Sequence, residues 1–197
     1  GGEHIWGDSP KNASPIWYDW FTSRAIPRTI IVDTARGDAP LGMSSEAAGT
    51  RHVTSTLSFD YPYDGFPPEL TVFLTSNHVT RSPHLALTWV TPDGREIRLS
   101  QVTPRQSHAE RISQDQSLRR RLRTDTVIAG LFGDPENDHK TALRGTYQLR
   151  LDGRLFEEGS ELQAKLVSFG EVHGWAGTDH MRRDLLLALL WGTPVAM

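Results

Sequence analysis

Short stretches in which apolar and polar residues alternate, separated by turn signals, recur through the middle of this chain and leave few architectures open. Residues 29–33, 51–61, 70–75, 85–91 and 96–102 show period-2 alternation or β-branched enrichment, and residues 126–132, 145–151 and 161–169 continue the series. The cleanest of them places Tyr147, Leu149 and Leu151 on one face and Gln148 and Arg150 on the other. Thr91-Pro92-Asp93-Gly94 is a turn for a chemical reason, because Pro presets φ and Gly accepts positive φ, so the segments beside it are expected to form a hairpin. Asp152-Gly153, with its continuation to Gly159, reads as a second turn. Eight or so short strands bounded in this way predict a mainly β, antiparallel β-sandwich or jelly-roll-like domain. One or two short helices interrupt it over residues 106–123, where Ser107-His108-Ala109-Glu110 matches a capping box and Ile112, Leu118 and Leu122 form a sparse stripe. A C-terminal helix is expected from Asp179 onward.

A chain of 197 residues with 37% hydrophobic residues and a formal charge of -3 has the makings of one globular domain with a real core, and it is neither a disordered tail nor a basic nucleic-acid binder. The search for chemistry is nearly empty. There is no Cys, hence no thiol nucleophile, disulfide or thiolate metal site. Eight His residues form no His-Glu-x-x-His pair, and His173 and His180 stand seven residues apart across an expected strand-to-helix break, so no metal site is expected. The acidic loop Asp134-Pro135-Glu136-Asn137-Asp138 lacks the central Gly and distant Glu of a calcium loop and reads as a solvated turn. Neither a Gly-x-Ser-x-Gly elbow nor a phosphate-cradling Gly-rich loop is present, so the expectation is a non-enzyme without cofactor or nucleic-acid partner. Arg119, Arg120, Arg121 and Arg123 are suited to phosphates or acidic head groups, but a solvated helix face accounts for them more simply.

The ends carry more. The chain opens Gly1-Gly2 with no secretory signal and stops inside an uncharged apolar run, residues 185–197, which at 13 residues is short of the ~20 needed to span a bilayer. We read it as excised at both ends. Trp6, Trp17, Trp20, Trp175 and Trp191 gather near the termini with Tyr18, leaving Trp89 alone in the middle. Indole and phenol rings favour the membrane–water interface, where ring and polar edge are both satisfied; a core cluster pinning two adjacent termini gives the same distribution. Either account brings the ends together. The resulting parse is an N-terminal tether with a short interfacial helix (1–28), a β-rich body (29–172) and a terminal segment (173–197).

That terminal segment, from His173-Gly174-Trp175 through Gly177-Thr178-Asp179 and Arg183-Asp184 to Trp191-Gly192, resembles the approach to the second transmembrane helix in permease subunits of dipeptide/oligopeptide/nickel-type ABC importers. There Gly-Thr-Asp is followed within a few residues by Gly-Arg-Asp and, one helical stretch later, by an aromatic-Gly pair. Gly177, Thr178, Asp179, Arg183, Asp184 and Gly192 match; Gly174 stands where the family has Pro, and Arg182 where it has Gly. The resemblance covers about 25 of the 197 residues. It implies an extracytoplasmic domain at the cell membrane, between the first two membrane helices of a transport protein. Its implied partners are a substrate-binding protein, a second permease subunit and, through the missing parts, ATPase subunits. Two other readings stay open: a secreted β-sandwich binding carbohydrate or another ligand through exposed Tyr61, Tyr63 and Phe66, and a hydrolase built on an unrecognised Ser/His/Asp cluster.

Overall fold

The computed structural model describes residues 13–15, 25–45, 50–78, 80–157 and 159–171. Among these residues nine strands form two antiparallel sheets. Strands β1 (Ile30–Asp33), β4 (Glu69–Asn77), β7 (Ser107–Arg111) and β9 (Glu161–Phe169) make one, in the order β1-β9-β4-β7. Strands β2 (Leu41–Ser45), β3 (Arg51–Tyr61), β5 (His84–Val90), β6 (Glu96–Val102) and β8 (Gly145–Leu155) make the other, in the order β2-β3-β8-β5-β6. Leu70, Val72, Leu74, Ala164 and Leu166 of the first sheet share one buried cluster with Val53, Leu57, Leu149, Leu151 and Leu87 of the second, so the expected β-sandwich forms.

Alternation is what drives the pairing. Along β3, Val53, Ser55, Leu57, Phe59 and Tyr61 are buried while the residues between them are exposed, and β8 matches it in register from Arg51 opposite Leu155 to Tyr61 opposite Gly145. A slip of one residue would turn both rows to solvent. The hairpin from β5 to β6 closes through Thr91–Gly94: Gly94 adopts φ 84 and its N–H donates to Thr91 O at 2.9 Å. At the core's heart, Trp89, Phe59, Tyr147, Phe132 and Tyr61 pack with ring centroids 4.7–6.1 Å apart. Their polar edges are satisfied, Trp89 N–H donating to Leu131 O at 3.2 Å and the Tyr147 hydroxyl to Leu143 O at 2.6 Å.

Three expectations are corrected. Residues 126–132 are not a strand but helix α2 (Val127–Phe132), capped by Thr126, whose Oγ1 accepts from Ala129 N at 3.1 Å. A short continuous apolar run reads alike as a buried strand or a buried helix, and here Val127, Ile128, Leu131 and Phe132 are buried as a helix. The capping box at Ser107–Glu110 is instead strand β7, in which His108 and Glu110 alternate with exposed neighbours and bond each other at 2.8 Å. The helix starts later, as α1 (Gln116–Leu122) after a 3-10 turn at Ile112–Gln114, and its cap is Asp115. Asp152-Gly153 is not a turn: it lies inside β8, where Gly153 pairs with Val53 and Leu85. A Cβ there would come within 2.2 Å of Leu85 Cδ2, so the absent side chain makes room for a neighbour's rather than for a bend. Strand β2 had no expectation at all. The tether's proposed helix and the C-terminal helix fall outside the described residues.

Candidate functional site

Following the strands lengthwise distinguishes the sandwich's two ends. At one lie Tyr61, Glu69, Val90, Glu96, Gly145 and Phe169; at the other lie Arg51, Asn77, His84, Val102, Leu155 and Glu161. Eleven-residue strands separate them by roughly 35 Å. Both chain tails meet the body at the first end. Ser14 N–H donates to Glu171 O at 2.8 Å, Glu171 N–H donates to Pro27 O at 2.9 Å, and Gly170 N–H donates to Thr29 Oγ1 at 3.0 Å. The approach is close enough that a Cβ on Gly170 would stand 2.5 Å from the backbone of Pro27, Arg28 and Thr29. Pro27 and Ala13 are buried there. The chain therefore enters and leaves the body side by side, and we call this end proximal.

The distal end is built from the loops at 78–83, 103–106 and 156–160. They enclose a shallow hollow of about 360 Å³ lined by Arg81, Ser82, His84, Thr103 and Phe156. Each wall is held. The Glu157 carboxylate accepts from the backbone N–H groups of Thr80 at 2.6 Å and Arg81 at 2.5 Å, pinning one loop to the next. His78 lies between two hydroxyls, with Ser76 Oγ 3.2 Å from Nδ1 and Ser82 Oγ 3.0 Å from Nε2. The His84 ring meets Thr103 Oγ1 at 3.0 Å from Nδ1 and stands edge-on to Phe156 at 5.4 Å. Among the described residues the Arg81 guanidinium has no hydrogen-bond or ion-pair partner, while its backbone N–H is the group that meets Glu157. The hollow thus offers a cation, two hydroxyls, an imidazole and an aromatic face, a set suited to holding a carboxylate or hydroxyl-bearing surface group. Nothing in the sequence singled these residues out; loop-to-loop hydrogen bonds between residues some 75 positions apart assemble them.

The residues singled out by sequence fare differently. Gly177, Thr178, Asp179, Arg183, Asp184 and Gly192 lie outside the described residues, as do Trp6, Trp17, Trp20, Trp175 and Trp191. Tyr61, Tyr63 and Phe66 are described, and they are not an exposed aromatic platform. Tyr61 is buried, its hydroxyl donating to Gly65 O at 2.7 Å, and Tyr63 and Phe66 pack partly buried against the same core. Burial holds the Tyr61 and Tyr147 phenols well above their ordinary range, so both stay protonated donors. Among the described residues no three His, Asp or Glu side chains gather as metal ligands, and Asp134 and its neighbours form a 3-10 turn at Pro135–Asn137. The Ser76–His78–Ser82 contact has a hydroxyl on each ring nitrogen and no carboxylate among its hydrogen-bond partners. No helix among the described residues is long and apolar enough to cross a membrane.

No family profile and no curated protein matches the chain. Among solved structures it is similar to one from work on the promiscuous specificity of carbohydrate-binding modules of the β-sandwich superfamily, at 12% identity and a TM-score of 0.28. The alignment covers 83% of this chain, which spans 62% of the length of the other. So distant a similarity has no bearing on ligand or activity.

Proposed function

We propose that this chain is the extracytoplasmic domain of a permease subunit in a dipeptide/oligopeptide/nickel-type ABC importer, inserted between the first two membrane helices. The Gly177 to Gly192 segment motivates the family. The structural observation that carries the reading is the side-by-side entry and exit of the chain at the proximal end. A domain threaded between two neighbouring membrane helices needs that geometry, whereas a bead on a linear string of domains does not. The domain itself is non-catalytic and takes no cofactor; transport proceeds through the membrane parts with a second permease subunit, and ATPase subunits supply the energy. With the proximal end toward the membrane, the distal loops and their hollow stand roughly 35 Å further out, positioned to receive a substrate-binding protein. A secreted ligand-binding module, the competing account, has no exposed aromatic platform at Tyr61, Tyr63 and Phe66.

Photo-crosslinking in membranes containing the whole importer tests this. A photoreactive residue at Thr103 should capture the substrate-binding protein, and one at Lys140, in the proximal half, should not. Capture at neither position, or equally at both, overturns the docking assignment.

A further inference from the structure

The polar side chains that line the distal hollow, those of Arg81, Ser82, His84 and Thr103, share one chemical property: all of them can donate, and none is confined to accepting. Ser82 and Thr103 are each backed by an imidazole, Ser82 Oγ by His78 Nε2 at 3.0 Å and Thr103 Oγ1 by His84 Nδ1 at 3.0 Å. One proton assignment suits a ligand that only accepts. The hydroxyl of Ser76, a residue 2% exposed, donates to His78 Nδ1, so that His78 Nε2–H donates to Ser82 Oγ; likewise His84 Nδ1–H donates to Thr103 Oγ1. Both hydroxyl hydrogens at the hollow are then left for what fills it, beside the Arg81 guanidinium.

Two carboxylates of this end are held by other groups. Glu157 accepts from the backbone N–H groups of Thr80 and Arg81, and Asp152 of β8 meets His52 Nε2 at 3.1 Å. The register adds a second cation, because Arg154 of β8 stands directly opposite His84 of β5 and both side chains are exposed on the same face. A neutral sugar presents hydroxyls that donate as well as accept, and a lining with no side chain reserved for accepting leaves their hydrogens unmatched. A carboxylate only accepts, and takes guanidinium, hydroxyl and imidazole donors together. Phosphate accepts in the same way but brings nearly two charges to a hollow whose lining holds one guanidinium. Ligand sites bury most of a whole small molecule; this shallow hollow suits the end of a side chain, methylenes on the Phe156 ring and carboxylate on the donors.

We infer that the distal hollow is a carboxylate subsite, which seats an aspartate or glutamate side chain of the docking protein against Arg81, with Ser82, His84 and Thr103 as further donors. The partner's identity rests on the docking reading above; the chemistry of the hollow does not. The isotope-labelled full 197-residue chain is titrated with N-acetylglutamate methylamide and, separately, with N-acetylglutamine methylamide, which differs only in lacking the carboxylate. Nuclear magnetic resonance follows the Arg81 and Thr103 N–H signals and the His84 ring. The glutamate compound should shift these signals to saturation, and the glutamine compound should bind roughly tenfold more weakly. Arg81→Gln should weaken the glutamate compound by roughly tenfold too, while keeping the backbone N–H that meets Glu157, and R36Q should behave as wild type. Equal binding of the two compounds overturns the inference. So does the absence of shifts at His84 and Thr103, or tighter binding there of inorganic phosphate or methyl glucoside than of the glutamate compound. Carboxylate binding without crosslinking at Thr103 leaves the subsite standing and removes the docking assignment; crosslinking without carboxylate binding removes the subsite alone.

Discussion

Tyr147 shows how one side chain links strand pattern to core. Its ring packs 4.7 Å from Phe132 and 5.5 Å from Trp89, and its hydroxyl satisfies Leu143 O where the chain turns into β8. Tyr147→Phe keeps the ring and leaves a buried carbonyl short of a donor, so urea unfolding should show a loss of about 1–2 kcal/mol. Trp89→Ala should cost more, about 3–5 kcal/mol, because it opens a cavity beside the rings of Phe59, Phe132 and Tyr147. Tyr147 was legible from alternation alone. Gly153 was not: Asp-Gly is a turn signal in isolation, and only the Leu85 side chain from β5, far away in sequence, shows that the glycine serves close approach. Gly153→Val should therefore destabilise by roughly 1–3 kcal/mol through overpacking, where a turn glycine without positive φ would tolerate the change.

Helix α1 is short, and its start depends on one carboxylate. Partial burial alone would raise the Asp115 carboxyl, but the N–H groups of Leu118 and Ser117, the Ser117 hydroxyl and the Arg121 charge outweigh it and hold the group below the usual carboxylate range. A folded carboxyl that ionises at lower pH than the unfolded one contributes its full stability above the unfolded value of about 3.9, and loses it as pH falls through the folded value. Asp115→Ala should thus lower stability by about 1 kcal/mol at neutral pH, with the gap from wild type closing as the solution is acidified below that point, read by urea titrations across pH. The strands with one solvated face, such as β3 and β6, were readable with their boundaries because period-2 patterning needs no tertiary information. The 106–132 region was misread because its elements are short and settled by context. There β7 is an edge strand whose inward positions hold His108 and Glu110, and α2 is apolar almost throughout because Val127, Ile128, Leu131 and Phe132 are all buried.

For the molecule as a whole, the organising fact is that the chain passes in and out through the proximal end. Gly170 is the crossing point, and Gly170→Ala should press a methyl into the backbone of Pro27, Arg28 and Thr29. Loosening of residues 13–15 and 25–29 should follow, seen as faster limited proteolysis there, with a stability loss of roughly 1–3 kcal/mol. The distal hollow was invisible in the sequence, since Arg81, His84, Thr103 and Phe156 come from three connections and carry no spacing signal. The segment from Gly177 to Gly192, by contrast, was legible only by resemblance. Because this chain contains no Cys, a sandwich held outside the cell membrane by its proximal end can be tested directly by thiol labelling. A single cysteine at Thr103 of the parent protein is exposed to a membrane-impermeant maleimide in intact cells, or in spheroplasts where an outer membrane intervenes. Labelling without lysis is the predicted result; labelling only after lysis would place the domain on the cytoplasmic side and contradict the account.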